Sequence, residues 1–150
     1  MNTLIPPPAV AAIIGLLMWG VSETWVFVRV VSDYQSWVAF MLLAAGVLLM
    51  LIAAAQFFAA RTTINPLRPA NASALITTGA FSLSRNPIYL ADLLILGALA
   101  AWFGNVLNVA LLVLFVCYIN RFQIAPEESA LREKFGDAYA VYCARVRRWL

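Results

Sequence analysis

The chain predicts an all-α integral membrane protein. Four transmembrane helices, two long and then a short helical hairpin, are followed by cytoplasmic C-terminal helices. Three observations lead there. Of 150 residues, 64% are hydrophobic and only 11% are charged, far below the roughly 25% charged residues of soluble domains. The apolar residues fall into four long runs. Apart from Arg29, every Lys and Arg lies within 61–86 or 121–148, the asymmetry expected of loops that stay in the cytoplasm. A domain of this size cannot hide so much apolar surface from water, so lipid must form part of its solvent.

Residues 1–8 form a short tail. Ala9–Val31 is the first span, 23 residues or about 34 Å as a helix, with Glu23 inside it and Arg29 near its end. Ser32–Ser36 is a turn, and Trp37–Ala60 a second span. Trp25, Tyr34 and Trp37 cluster near the turn as interfacial aromatics do. Arg61–Asn86 is a loop punctuated by Pro66, Pro69 and Gly79. Ile88–Phe103 and Val106–Ile119 are joined by Gly104-Asn105. Each is about 21–24 Å long as a helix, short for a hydrocarbon core of roughly 30 Å. Asn105 and Asn108 read as turn and cap residues.

Pro126 suits the first turn of a new helix, with Glu127 and Glu128 at its positive end. Gly136 ends that helix and Asp137 can cap the next. There Tyr139, Tyr142, Val146 and Trp149 share one face, and Arg145, Arg147 and Arg148 crowd the end. This pattern predicts an amphipathic helix lying on anionic lipid. Placing the basic regions inside puts both termini and the 61–86 loop in the cytoplasm, and a bacterial inner membrane is the expected location. The chain reads as one membrane domain, with two N-terminal spans over 9–60 and a functional core over 61–150.

Composition also excludes. There is no His, which rules out His-based triads, His-ligated zinc and haem-His ligation. Cys117 and Cys143 lack metal-ligand spacing and read as small apolar filler. The basic clusters flank apolar spans without a nucleic-acid module, so no nucleic-acid partner is expected. The partners expected are membrane lipid and a lipophilic small molecule.

Several polar residues have two readings. Glu127-Glu128 is either a solvated first turn, with Glu128 pairing Arg132 four residues on, or a carboxylate offered to an amine or to ribose hydroxyls. Asn86 either caps the helix that Pro87 starts or binds a ligand. Arg85 either anchors to phosphate headgroups or takes part in a site, and Tyr89 is either a belt aromatic or a site residue. Asp92, three residues after Tyr89 and within an apolar run, either positions a substrate or pairs with another helix. Glu23, deeper in its span, is either protonated or paired.

In order along the chain stand Thr62-Thr63-Ile64-Asn65-Pro66, Leu75-Ile76-Thr77-Thr78-Gly79-Ala80-Phe81, Arg85-Asn86-Pro87-Ile88-Tyr89, Arg121, Glu127-Glu128, Leu131, Phe135-Gly136, Tyr139 and Tyr142. This pattern, over about residues 61–149, resembles that of the isoprenylcysteine carboxyl methyltransferase and phospholipid methyltransferase superfamily. The resemblance implies an integral membrane methyltransferase using S-adenosylmethionine and releasing S-adenosylhomocysteine. It implies cofactor contacts from Ser73, Ala74, Leu75, Ile76, Phe81, Asn86, Pro87, Ile88, Tyr89 and Glu127, which we extend to Arg85 and Glu128. It places Gln123 on the substrate side, to which we add Arg121, which matches the family's pattern, and Asp92 as candidate catalytic residues. The family often has His where Asn86 stands and Tyr where Phe81 stands. Gln123 stands where the isoprenylcysteine enzymes hold their substrate carboxylate with arginine, so a different lipophilic acceptor is implied, with a carboxylate, thiol or amine to be methylated. Two rival classes are a catalytically inactive relative that acts as a binding or scaffold subunit, and a small transporter using Glu23 or Asp92.

Overall fold

The computed structural model describes residues 5–30, 32–60 and 75–150. Every element in them is helical: α1 Pro7–Thr24, α2 Gln35–Ala59, α3 Ala80–Leu83, α4 Pro87–Phe103, α5 Asn108–Ile119 and α6 Ala125–Arg145, with a one-turn 3-10 segment at Val26–Val28 and a π turn at Asn120–Ile124. Among the described residues three helices are long and apolar enough to cross a bilayer: Pro7–Thr24, Gln35–Ala59 and the continuous Asn108–Arg145. The apolar α4 is shorter. Trp37, Phe40, Leu48 and Phe58 of α2 are exposed, the outward apolar surface that lipid must cover.

The first helix stops seven residues before the expected Val31. A run rich in β-branched valines follows Trp25, and such residues favour extended backbone. The chain there pairs with the turn between α4 and α5. Arg29 bridges Asn105 in antiparallel fashion, Val30 N donates to the Gly104 carbonyl (2.7 Å), and Val106 N donates to the Val28 carbonyl (3.3 Å). The Asn105 amide donates to the Trp25 carbonyl (2.9 Å) and the Arg29 guanidinium to the Ser22 carbonyl (2.6 Å), satisfying acceptors left open at the end of α1. Glu23 is therefore not deep in a span. It is exposed, at the helix end, 3.3 Å from Arg29.

Helix α2 lies along α4 as the most extensive pairing in the fold. Gly46 permits it: a Cβ there would sit 2.8 Å from Ile95 Cγ1 and 3.0 Å from the Ala91 carbonyl. Helix α1 packs on α4 and α5 around Ile14, Met18, Leu96 and Phe115. Asn108 does not cap α5. It is fully buried and donates to Ser22 Oγ (3.1 Å), a polar contact between α1 and α5.

Pro126 does not begin a separate helix. The chain runs on from α5 through the π turn into α6. A proline in a continuous helix removes one N–H and crowds the carbonyl four residues back. The wider π turn directly before it accommodates both. Gly136 then breaks the helical backbone at φ 49°, ψ −123°, a kink inside α6 in place of the expected stop. No neighbour crowds that position, so the positive φ is what calls for glycine.

The expected lipid-facing stripe of the last helix is covered by protein. Tyr139, Tyr142 and Val146 are buried against Leu75, Leu131, Phe135 and Cys143. The helix ends at Arg145, and Val146 turns extended. Trp149 therefore leaves the shared face and packs on the core beside α5, its indole N–H donating to Asn120 Oδ1 (3.1 Å).

Candidate functional site

Two polar regions, joined by contacts between residues 38 or more apart in sequence, meet at one end of the bundle. Pro87 starts α4 at its first turn, which its fixed φ suits, and so sets Tyr89 one turn in. Tyr89 is buried, and its hydroxyl donates to Glu127 Oε1 at 2.5 Å. Among the described residues this is the only side-chain hydrogen bond that the Glu127 carboxylate accepts. Glu127 is half-buried as a residue, yet its carboxyl tip is enclosed. Burial pushes its pKa up to about 7, the Tyr89 hydrogen bond opposes that, and neighbouring Glu128 adds to it.

Beside this pair sits a three-residue ionic cluster. Glu128 Oε1 accepts from Arg85 Nη2 (2.9 Å) and Arg148 Nε (3.1 Å), and Oε2 accepts from Arg148 Nη2 (2.6 Å). The expected Glu128–Arg132 pair along the helix is replaced by these two arginines. Arg85 is mostly buried and anchored here rather than reaching for headgroups. Its Nε is buried without a hydrogen-bond partner.

The segment after α6 crosses the start of α4. The Arg148 carbonyl accepts from Asn86 Nδ2 (2.9 Å) and Ser84 Oγ (3.3 Å), and the Arg147 carbonyl from Arg85 N (3.0 Å). The Asn86 amide is thus spent on this crossing and makes no side-chain cap for α4. Tyr142 Oη donates to the Phe81 carbonyl (2.7 Å), which ties α6 to α3.

A second clamp holds α3 from the other side. Gln56 Nε2 donates to the Thr78 carbonyl (2.8 Å), and Gln56 Oε1 accepts from Ala80 N (3.0 Å). The turn needs Gly79, at φ 58°, because a Cβ there would lie 2.1 Å from Gln56 Nε2. Phe81 is buried edge-on to Phe57, centroids 5.2 Å apart. Ile76 and Ile88 pack on the same cluster, and Leu75 packs on the tyrosine cluster of α6.

Of the residues the sequence singles out, Leu75, Ile76, Phe81, Arg85, Asn86, Pro87, Ile88, Tyr89, Glu127 and Glu128 all lie in this end. Ser73 and Ala74 lie outside the described residues. Asp92 is buried one turn further along α4 from Tyr89. Gln123 is fully buried on the π turn, one helical turn before Glu127. Its Nε2 donates to the Ile5 carbonyl (2.8 Å), and its Oε1 has no partner. Arg121, on the same turn, is exposed.

Gln56, Ser84 and Arg148 are members that sequence reasoning passed over. Gln56 left one signal, a lone amide near the end of an apolar run. Arg148 was hidden within a basic cluster that reads as lipid-facing. A cleft of about 340 Å³ lies at the opposite end of the bundle, lined in part by Val30, Tyr34, Gln35, Ala101 and Gly104. It contains none of the site residues.

Fold and site together define an all-helical membrane protein with a buried polar and ionic centre at one end. A family model for phospholipid methyltransferases matches residues 34–138, and the chain belongs to that family. The match spans α2 through most of α6 and includes every site residue up to Glu128. One relative, an uncharacterized protein of Haemophilus influenzae, is 51% identical over 63 residues, which is 42% of this chain and all of the relative. No solved structure matches the chain.

Proposed function

We propose that this protein is an S-adenosylmethionine-dependent methyltransferase of the membrane, acting on a lipophilic acceptor with a carboxylate, thiol or amine. The observation that carries this reading is the Tyr89–Glu127 hydrogen bond beside the Arg85–Glu128–Arg148 cluster. It joins the two polar regions into one centre. Membership of a methyltransferase family supports the reaction class.

The residues fit the cofactor. The second carboxylate oxygen of Glu127 takes no side-chain hydrogen bond from the described residues, and suits an ammonium or ribose hydroxyls. Arg85 Nε is an unused donor, suited to a carboxylate. Phe81 and Ile88 supply apolar and aromatic wall for an adenine or a sulfonium. When bound, S-adenosylmethionine supplies an electrophilic methyl group. The chain's part is to hold the reactants in line and keep water out. Tyr89 orients the Glu127 carboxylate, Glu128 and Arg85 fix the rim, and Gln123 offers a polar contact on the substrate side.

A carboxylate or thiolate acceptor needs no base. For an ammonium acceptor the plausible bases narrow to Glu127 and Asp92. Glu128 is held by two arginines, and Glu23 lies at the other end of the bundle.

On this reading α1, α2, α4 and α5 make four crossings, and the site faces the cytoplasm of a bacterial inner membrane. Arg85, Arg121 and Arg148 share that end, and the apolar acceptor reaches the site sideways from lipid. Calorimetry with S-adenosylhomocysteine on the purified protein in mild detergent tests it. Micromolar binding is expected, lost in Glu127→Ala with the fold retained. Absence of binding to folded wild-type protein overturns it and leaves a scaffold role for inherited architecture.

A further inference from the structure

The Arg85–Glu128–Arg148 cluster is asymmetric. Arg148 presents both Nε and Nη2 to Glu128, at 3.1 and 2.6 Å. Arg85 presents only Nη2, at 2.9 Å, and shares Oε1 with Arg148. Arg85 Nε is left buried with no partner. An arginine facing one carboxylate prefers the two-bond fork, and a buried donor left without a partner is costly. Arg148 occupies the fork geometry that Arg85 would otherwise take.

Charge points the same way. Two guanidinium groups against one carboxylate leave the cluster with one excess positive charge. Without Arg148 the remaining pair is neutral, and Glu128 is free to turn both oxygens onto Arg85. The same residue also fixes the other side of the cluster: its carbonyl holds Ser84 and Asn86, the neighbours of Arg85. Arg148 therefore sets both what Glu128 does and where Arg85 stands.

We infer that Arg148 is a positioning residue that keeps Arg85 Nε unpaired, a buried donor left for the carboxylate of a bound ligand. It does so by competing for Glu128. The inference rests on the cofactor reading above, in which that ligand carboxylate belongs to the amino-acid part of the cofactor.

The experiment compares S-adenosylhomocysteine with 5′-methylthioadenosine, which keeps the nucleoside and lacks the amino-acid part. Both are titrated into wild-type, R148Q and R85Q protein in mild detergent. In R148Q, S-adenosylhomocysteine weakens on the order of tenfold while 5′-methylthioadenosine changes by less than about twofold. R85Q shows the same selective loss. The double variant is no weaker than R85Q alone, because both substitutions remove one subsite. General loosening of the site would weaken both ligands alike, and that result, or an unchanged ratio, overturns the inference while leaving the cofactor reading intact. Wild-type protein that binds neither ligand overturns both. If R148Q does not fold, R148K keeps the charge but not the fork, and must show the same selective loss.

Discussion

Tyr89→Phe isolates the hydrogen bond at the centre of the site. Phenylalanine keeps the ring in its buried place and removes only the hydroxyl that donates to Glu127 at 2.5 Å. Burial has already pushed the Glu127 carboxyl up to about 7, and the Tyr89 bond is what resists a further rise. A hydrogen bond to an ionised group contributes about 1.5–3 kcal/mol. At about 1.4 kcal/mol per pH unit, its loss raises the ionisation midpoint by roughly one to two units. The sign follows directly. An ammonium or hydroxyl donor binds the ionised carboxylate best, so affinity falls as pH drops through the midpoint. Calorimetric titration of S-adenosylhomocysteine across about pH 5.5–10 brackets both midpoints. Wild-type affinity is expected to fall below about pH 7. Tyr89→Phe is expected to bind about tenfold or more weakly at neutral pH and to recover towards wild type as pH rises. A uniform loss at every pH, or an unmoved midpoint, refutes the assignment of Tyr89 as the group that tunes Glu127.

Two backbone predictions test the scaffold around the site. Gly79→Ala puts a Cβ 2.1 Å from Gln56 Nε2 at φ 58°, and the strain plus two lost amide hydrogen bonds cost about 2–4 kcal/mol. A fall of several degrees in the melting temperature, with weaker S-adenosylhomocysteine binding, checks this; an unchanged protein shows that the Gln56 clamp is dispensable. Gly46→Ala pushes α2 away from Ile95 and the Ala91 carbonyl, an overpacking cost of about 1–3 kcal/mol, read as reduced thermal stability with ligand affinity nearly unchanged.

Much of this protein is legible in its sequence because membrane constraints are one-dimensional. Apolar length and the placement of arginine require no knowledge of contacts, so the all-helical character and the four apolar runs follow from counting. The ordered polar pattern from Leu75 to Tyr142 carries the family, since spacing along one chain survives in a linear reading. Pro87 as a helix start and Gly136 as a break also follow locally, from backbone chemistry.

Only the tertiary structure decided which groups meet. Glu128 has Arg132 within helical reach, yet it is held by Arg85 and Arg148, because a mostly buried carboxylate gains more from forked, desolvated partners than from an exposed neighbour. Val26–Val30 lies in an apolar run and reads as helix, but Val28 and Val30 pair with Val106 and Gly104, which satisfies their backbone outside an α-helix. The stripe of Tyr139, Tyr142 and Val146 has the period of a lipid-facing helix. Periodicity defines a face and not what covers it, and here the cover is Leu75 and α6's own Leu131 and Phe135. The site itself is a product of folding: Tyr89 and Glu127 are 38 residues apart, and only the turn between α4 and α5, with the π turn ahead of Pro126, brings them within one hydrogen bond.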